Sequence, residues 1–182
     1  VRERVTAYVP GEASPGVKID EAALETLKKG KTSVHSKVIN LGMSLLRDIE
    51  ERADEEPYLI PLEERVKAIL EKYEDRQLTT EAALVELEQQ TRVRLEARRE
   101  RERSGLDVGD FAVYWALKQA GIADAESVAR EMGATMKRFP DHPHNPEEMR
   151  LLKSEIYKVL LPLVGQSRMV EIADQILDVR RA

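Results

Sequence analysis

Apolar residues recur along most of the chain at intervals of three and four positions. Between residues 33 and 55 they stand at Val34, Val38, Leu41, Leu45, Ile49 and Ala53. This spacing places the side chains on one face of an α-helix, with polar residues on the other face. Comparable stripes in seven further segments predict about eight helices and no reliable strand. We therefore expect an all-α, irregular multi-helix bundle.

Residues that favour helix ends mark most of these segments. A side chain able to cap free amides precedes five of them, at Asp20, Thr79, Asp107, Asp124 and Asn145. Glu148, three residues after Asn145, predicts a capping box. Glycines that tolerate a left-handed turn follow three segments, at Gly30, Gly105 and Gly121. We expect Pro61 and Pro146 at first helical positions, and we expect Pro162 to end or kink its helix.

The segment 106–121 is apolar on nearly all sides. It holds three of the eight aromatic residues, namely Phe111, Tyr114 and the single tryptophan, Trp115. A helix without a solvent face must be surrounded by other elements. We predict that the remaining helices pack around this one, and that Leu106 packs on Phe111 as a hydrophobic staple.

The longest predicted helix, 79–104, would extend ~39 Å at 1.5 Å per residue. Its apolar stripe fades beyond Ala97, so its charged end should protrude or lie along another surface. The candidate contact residues for nucleic acid or an acidic protein surface are the arginines near this end: Arg92, Arg94, Arg98, Arg99, Arg101 and Arg103. Glutamates interleave with them, however. A solvated helix that pairs with itself, for instance Arg92 with Glu96 and Arg98 with Glu102, is the simpler interpretation.

Composition limits the classes of function. The net charge is -5, so no general attraction to nucleic acid or acidic membranes is expected. The chain has no cysteine, which excludes disulfides, thiol catalysis and cysteine-bound metals. We find no membrane span and no signal-peptide pattern, and we predict a cytoplasmic protein. Because the 182 residues begin at Val1 rather than methionine, we interpret the chain as part of a longer protein.

Two groups of residues imitate catalytic or metal sites. Asp141, His142, His144 and Glu147 are of metal-binding types, but a short proline-rich connection explains them equally well. Glu155 and Lys158, with Asp141, resemble the magnesium site of some nucleases. Their spacing is wrong for that site, and they fall inside a predicted helix. We therefore predict no catalytic residue, metal, cofactor or small-molecule substrate for this chain.

Several segments resemble, in order, the C-terminal helical domain of type I restriction enzyme R subunits. The strongest are PLEERV (61–66), YEDRQLTTEAALVEL (73–87) and the segment containing FAVYWALK (105–118), while KVINL (37–41) resembles the helix leading into that domain. The closing segments EEMRLLKSEIYKVLL and MVEIADQIL are also similar. The resemblance covers about 33–181. It implies that 33–182 form the C-terminal helical assembly domain, and that 1–32 are a linker and short helix at the junction with upstream domains.

The resemblance also implies a role. In that family the parent protein is an ATP-dependent, Mg²⁺-using, site-specific deoxyribonuclease with a nuclease domain and two motor domains. The helical region would itself be non-catalytic, and would dock the R subunit onto the methyltransferase core formed by the modification and specificity subunits. Two alternatives are a domain that grips duplex DNA beside the motor and a helical scaffold that homo-oligomerises.

Overall fold

The computed structural model of the chain describes residues 33–53 and 55–181. Within these ranges it contains helices and no strand, which confirms the all-α prediction. The elements are α1 (Val34–Glu50), a 3-10 helix (Pro57–Leu59), α2 (Ile60–Glu74), α3 (Thr80–Ser104), α4 (Val108–Gln119), α5 (Ala125–Met136), α6 (Pro146–Val164) and α7 (Gln166–Arg181). The helix predicted after Asp20, like the linker predicted over 1–32, lies outside the described residues.

Side-chain caps fix the beginnings of four helices. Thr79 accepts a hydrogen bond from the Ala82 amide at 3.2 Å, and Asp107 accepts one from the Asp110 amide at 2.7 Å. Ser33 caps α1, and Asn145 caps α6 by accepting from two amides. Each contact satisfies an amide that has no partner inside its helix. The caps predicted at Thr79, Asp107 and Asn145 are therefore confirmed.

Two predicted caps differ in detail. Asp124 does stand before α5, but its side chain makes no capping hydrogen bond. The capping box at Asn145 is only half formed, because Glu148 accepts from the Asp141 amide at 2.9 Å instead of returning to Asn145. Glu148 thereby ties the loop before α6 to the first turn of that helix.

Of the three prolines with a predicted place in a helix, one stands as expected, since Pro146 is the first residue of α6. Pro61 occupies the second position of α2, because the helix begins one residue earlier, at Ile60. Pro162 does not end α6, which continues to Val164. Pro162 lacks the N–H that would donate to the carbonyl of Lys158. Both residues are exposed, so water can hydrate that carbonyl. The helix ends instead at Gly165, whose φ is 71°.

The buried residues of the described ranges form two hydrophobic clusters that share α4. One cluster joins α1, α2, α3 and the 3-10 helix to Phe111, Ala112 and Trp115, and the other joins α5, α6 and α7 to Val113 and Leu117. Ala112 and Val113, which are adjacent in sequence, thus belong to different clusters. The prediction of a surrounded central helix is confirmed, since both clusters include its side chains.

Aromatic rings hold α4 against the first cluster. The ring of Phe111 is fully buried, and its centroid lies 4.8 Å from that of Tyr58 in an edge-to-face arrangement. Trp115 stacks on the same ring at 6.1 Å. Leu106, predicted as a hydrophobic staple, belongs to this cluster together with Phe111. Such ring pairs add about 0.5–1.5 kcal/mol each beyond the area they bury.

Glycines allow two helix pairs to approach closely. A Cβ atom at Gly42 of α1 would lie 2.6 Å from Cδ2 of Leu70 in α2. A Cβ atom at Gly133 of α5 would lie 2.1 Å from Oδ1 of Asp110 in α4. A larger side chain at either position would therefore displace its neighbour. Across the described ranges, no helix combines the length and apolar character that crossing a lipid bilayer requires.

Candidate functional site

The structure divides the six candidate arginines between the interior and the solvent. Arg94 is only 2% exposed, and Arg101 is half-buried. The other four are exposed: Arg92, Arg98, Arg99 and Arg103. The prediction of a contact role is therefore wrong for Arg94. It lies between Leu87 and Ala97 on the buried face of α3, where a partner molecule cannot reach it.

Arg94 instead holds α3 to α1 and to the segment before the 3-10 helix. Its Nε donates to Oδ2 of Asp48 at 2.9 Å, and its Nη2 lies 3.4 Å from Oε2 of Glu56. The other carboxylate oxygen of Asp48 accepts from Nε of Arg52 at 3.2 Å. A planar guanidinium can bridge two carboxylates in this way because its donors point in several fixed directions. Arg94 is a structural residue.

The charged end of α3 lies along α4 on one face and does not protrude there. The Arg101 guanidinium lies 5.7 Å from the centroid of the Phe111 ring, and its Nη1 donates to the Leu106 carbonyl. The hydroxyl of Tyr114 donates to Oε2 of Glu100 at 2.8 Å. The end of α3 therefore packs on α4 without an apolar stripe. The contacts are the cation–π interaction of Arg101 with Phe111 and the hydrogen bond from Tyr114 to Glu100.

A polar network continues from Tyr114 along the same edge. Lys118 of α4 lies 3.2 Å from Glu96 and 3.3 Å from Glu100. The hydrogen bond from Tyr114 lowers the pKa of Glu100, and burial followed by this same bond raises the pKa of Tyr114. Burial opposes the charge on Lys118, but its two carboxylate partners prevail and raise its pKa. Glu96 and Glu100 therefore both bind side chains of α4.

Three of the exposed arginines form a stripe on the outer face of α3. Arg92, Arg99 and Arg103 are seven and four residues apart, so their directions fall within about 40° around the helix axis. Nη2 of Arg92 lies 3.7 Å from Glu88, so the predicted pair with Glu96 is wrong, because Glu96 turns to Lys118 on α4. Of the four exposed arginines in the predicted contact surface, these three share one direction.

The predicted pair of Arg98 with Glu102 is confirmed. Nε of Arg98 lies 3.3 Å from Oε1 of Glu102, and both side chains are largely exposed. The arrangement is the solvated i, i+4 pairing that the alternating charges indicate. Arg98 stands outside the stripe formed by Arg92, Arg99 and Arg103, about a quarter turn or more from each.

The residues of metal-binding type do not converge. His142 is buried, with Nδ1 2.7 Å from the Phe139 carbonyl, while Glu147 pairs with Arg150 at 2.6 Å. The hydrogen bond from Arg150 lowers the pKa of Glu147. No group of three or more such side chains is placed to share a metal ion in the described part of the chain. Lys158 forms an ion pair with Glu155 on α6 at 2.6 Å, as surface residues of one helix commonly do.

An apolar cleft that the sequence did not predict opens between α2, α3, α4 and α7. Its free volume is about 30 Å³, and it is lined by Tyr58, Leu59, Pro61, Leu62, Arg65, Val93, Ala97, Ala112, Trp115, Ala116, Gln119 and Gln175. The lining includes residues more than a hundred positions apart, so no local sequence pattern predicts the cleft. The only signal was the small residues at Ala112 and Ala116, four apart on a helix otherwise rich in large side chains.

We compared the chain with protein-family models, with curated proteins and with solved structures, and none of these comparisons gave a match.

Proposed function

We propose that the chain is a non-catalytic assembly domain of a type I restriction enzyme R subunit. In this role it docks the motor and nuclease part of the R subunit onto the methyltransferase core, formed by the modification and specificity subunits. ATP and Mg²⁺ would be used by the other domains of the parent deoxyribonuclease. The observation that carries the proposal is the ordered resemblance of several separate segments to that family's C-terminal helical domain.

The positions of these segments support the proposal. PLEERV (61–66) lies in the first half of α2, YEDRQLTTEAALVEL (73–87) spans the end of α2 and about the first third of α3, and FAVYWALK (111–118) lies within α4. These elements supply the first hydrophobic cluster and the central helix. The resemblance therefore concerns the parts that build the fold, rather than one amphipathic helix that chance could supply.

The surface of α3 supports docking through charge. Arg92, Arg99 and Arg103 project from one outer stripe, where the long arginine side chains can meet carboxylates of a partner. Glutamates on the same helix offset part of this positive charge. The stripe therefore suits a protein surface that carries both acidic and basic residues better than it suits a row of phosphates. A docking role in the same compartment as cellular DNA also agrees with the predicted cytoplasmic location.

Calorimetric titration of the chain against the purified methyltransferase core tests the proposal. It should be done with and without duplex DNA, at two salt concentrations. We expect saturable binding to the core in the absence of DNA. Absence of binding to the core would refute the proposal. Binding to DNA alone, with an affinity that falls steeply with salt, would assign the chain to DNA gripping instead.

Charge reversal on α3 then tests the stripe. The triple variant Arg92→Glu, Arg99→Glu and Arg103→Glu should weaken binding to the core and make it less sensitive to salt. Reversal of Arg98, which faces another direction, is the matched control and should have little effect. Equal affinity of the triple variant and the wild type would remove the stripe from the docking surface.

A further inference from the structure

We infer that the cleft between α2, α3, α4 and α7 binds an apolar side chain of the methyltransferase core, and that a carboxylate next to that side chain binds Arg65. The inference rests on the proposed function and names a contact point for it. Its basis is the size of the cleft, its lining and the single charge at its rim.

The size of the cleft selects the kind of occupant. A free volume of about 30 Å³ holds roughly two water molecules, because one water needs roughly 10–15 Å³ by this measure. Small-molecule sites are much larger, at roughly 300–1,000 Å³. The cleft therefore accommodates the tip of one side chain, which a protein partner would insert as part of a larger interface.

The floor of the cleft is apolar and rigid. Leu62 is 4% exposed and Trp115 is 5% exposed, yet both line the opening. The Trp115 ring stacks on the ring of Phe111, and the Lys118 ammonium lies 5.4 Å from the centroid of Trp115. A partner side chain would thus bury apolar area without the entropy cost of ordering these residues. Packed aromatic pockets of this kind contribute a large share of the binding free energy of protein interfaces.

The rim supplies the polar part of the recognition. Arg65 is the one charged residue of the lining; it is exposed and forms no ion pair with any other described residue. Gln119 and Gln175 also line the cleft, and within the described ranges their side chains make no hydrogen bond. A guanidinium matches a carboxylate through two parallel hydrogen bonds, and amides can bind the backbone of an incoming segment. This set complements an acidic, apolar peptide surface and lacks the several cations that a phosphate backbone requires.

The test uses the fact that Trp115 is the only tryptophan of the chain. The chain is prepared with fluorotryptophan, and its ¹⁹F resonance is followed while unlabelled methyltransferase core is added. We expect the resonance to shift in a saturable manner. The Arg65→Glu variant should bind the core at least about tenfold more weakly, as is usual when an arginine that becomes buried in an interface is replaced.

Two further variants separate the cleft from general effects of charge and folding. Gln119→Phe, at an exposed position, should obstruct the opening and weaken binding without any change of charge. Lys137→Glu, at the residue that follows α5, changes the net charge by the same amount as Arg65→Glu but lies outside the cleft, and should leave the affinity within about twofold. Circular dichroism melts confirm that each variant is folded before it is titrated.

The outcomes are distinct. If the wild type binds the core but the ¹⁹F resonance does not move and Arg65→Glu binds equally well, the cleft is not the contact, while the docking function stands. If the wild type does not bind the core, both proposals fall. If the resonance instead shifts with the concentration of the chain alone, and light scattering shows a dimer, the cleft serves self-association and the inference is overturned.

Discussion

Replacing Arg94 by alanine should destabilise the chain more than any other single arginine substitution on α3. Arg94 is almost fully buried, and it is the cation that faces both Asp48 and Glu56. Its removal leaves two carboxylates near an apolar interior, with Arg52 as the remaining partner of Asp48. The chain then has to hydrate these carboxylates, or protonate them, at the expense of helix packing.

The size of the effect follows from burial. Removing one member of a buried ion pair costs about 3–5 kcal/mol. The side chains of Asp48 and Glu56 are 11% and 21% exposed, so water reaches both and reduces the penalty. We therefore expect a loss at the lower end, about 3 kcal/mol, which corresponds to a fall in melting temperature of roughly 6–12 °C for a chain of this length. Arg94→Lys should show a smaller loss, because one ammonium cannot bridge both carboxylates.

Urea unfolding followed by circular dichroism at 222 nm, the usual helical band, at roughly neutral pH measures this loss. Arg98→Ala is the matched control, since its pair with Glu102 is exposed and should contribute no more than about 0.5 kcal/mol. If Arg94→Ala lost less than about 1 kcal/mol, the ion pairs would merely offset the desolvation of Arg94. The interpretation of Arg94 as a structural residue would then be refuted.

Three further predictions concern α4 and its neighbours. Gly133→Ala should lower the free energy of unfolding by about 1–3 kcal/mol, since its Cβ would meet Asp110, and chemical denaturation should show a smaller loss in an Asp110→Ala background. The hydrogen bond from Tyr114 lowers the pKa of Glu100 from its ordinary 4.5, so its stabilisation is complete above that value and lost as pH falls through the folded-state pKa. Glu100→Gln should therefore melt below the wild type at pH 7, and the two melting temperatures should converge in acid. Burial raises the pKa of Tyr58 above its ordinary 10.0, so the stability from its neutral form is complete below that value and is lost as pH rises from there through the folded-state pKa. An ultraviolet titration should show a late ionisation step, coupled to unfolding, that Tyr58→Phe removes.

The parts of the fold that the sequence predicts correctly depend on local chemistry. Thr79 and Asp107 cap their helices because a short polar side chain reaches amides only three residues away. The central position of α4 follows from its own composition, since Phe111, Val113 and Leu117 place large apolar side chains on opposite sides of the helix. Neither conclusion requires knowledge of distant residues, so a single sequence suffices.

The errors arise where distant residues decide. Arg94 looks like its exposed neighbours on α3, and only Asp48, 46 positions earlier, explains why it is buried. The turn of Glu96 toward Lys118 likewise depends on how α4 lies against α3. The cleft brings together Arg65 and Gln175, which are more than a hundred positions apart in the sequence. Such encounters are properties of tertiary packing, which residue spacing alone does not encode.

The sharing of α4 by both hydrophobic clusters bears on how the chain could be divided. A cut near Gly105 would deprive α1–α3 of the rings of Phe111 and Trp115, and a cut near Gly121 would deprive α5–α7 of Leu117. Neither half should be an autonomous folding unit, and the backbone amides of α4 should exchange with deuterium only through global opening. Any partner that grips one side of α4 would then slow proteolysis of helices it never touches.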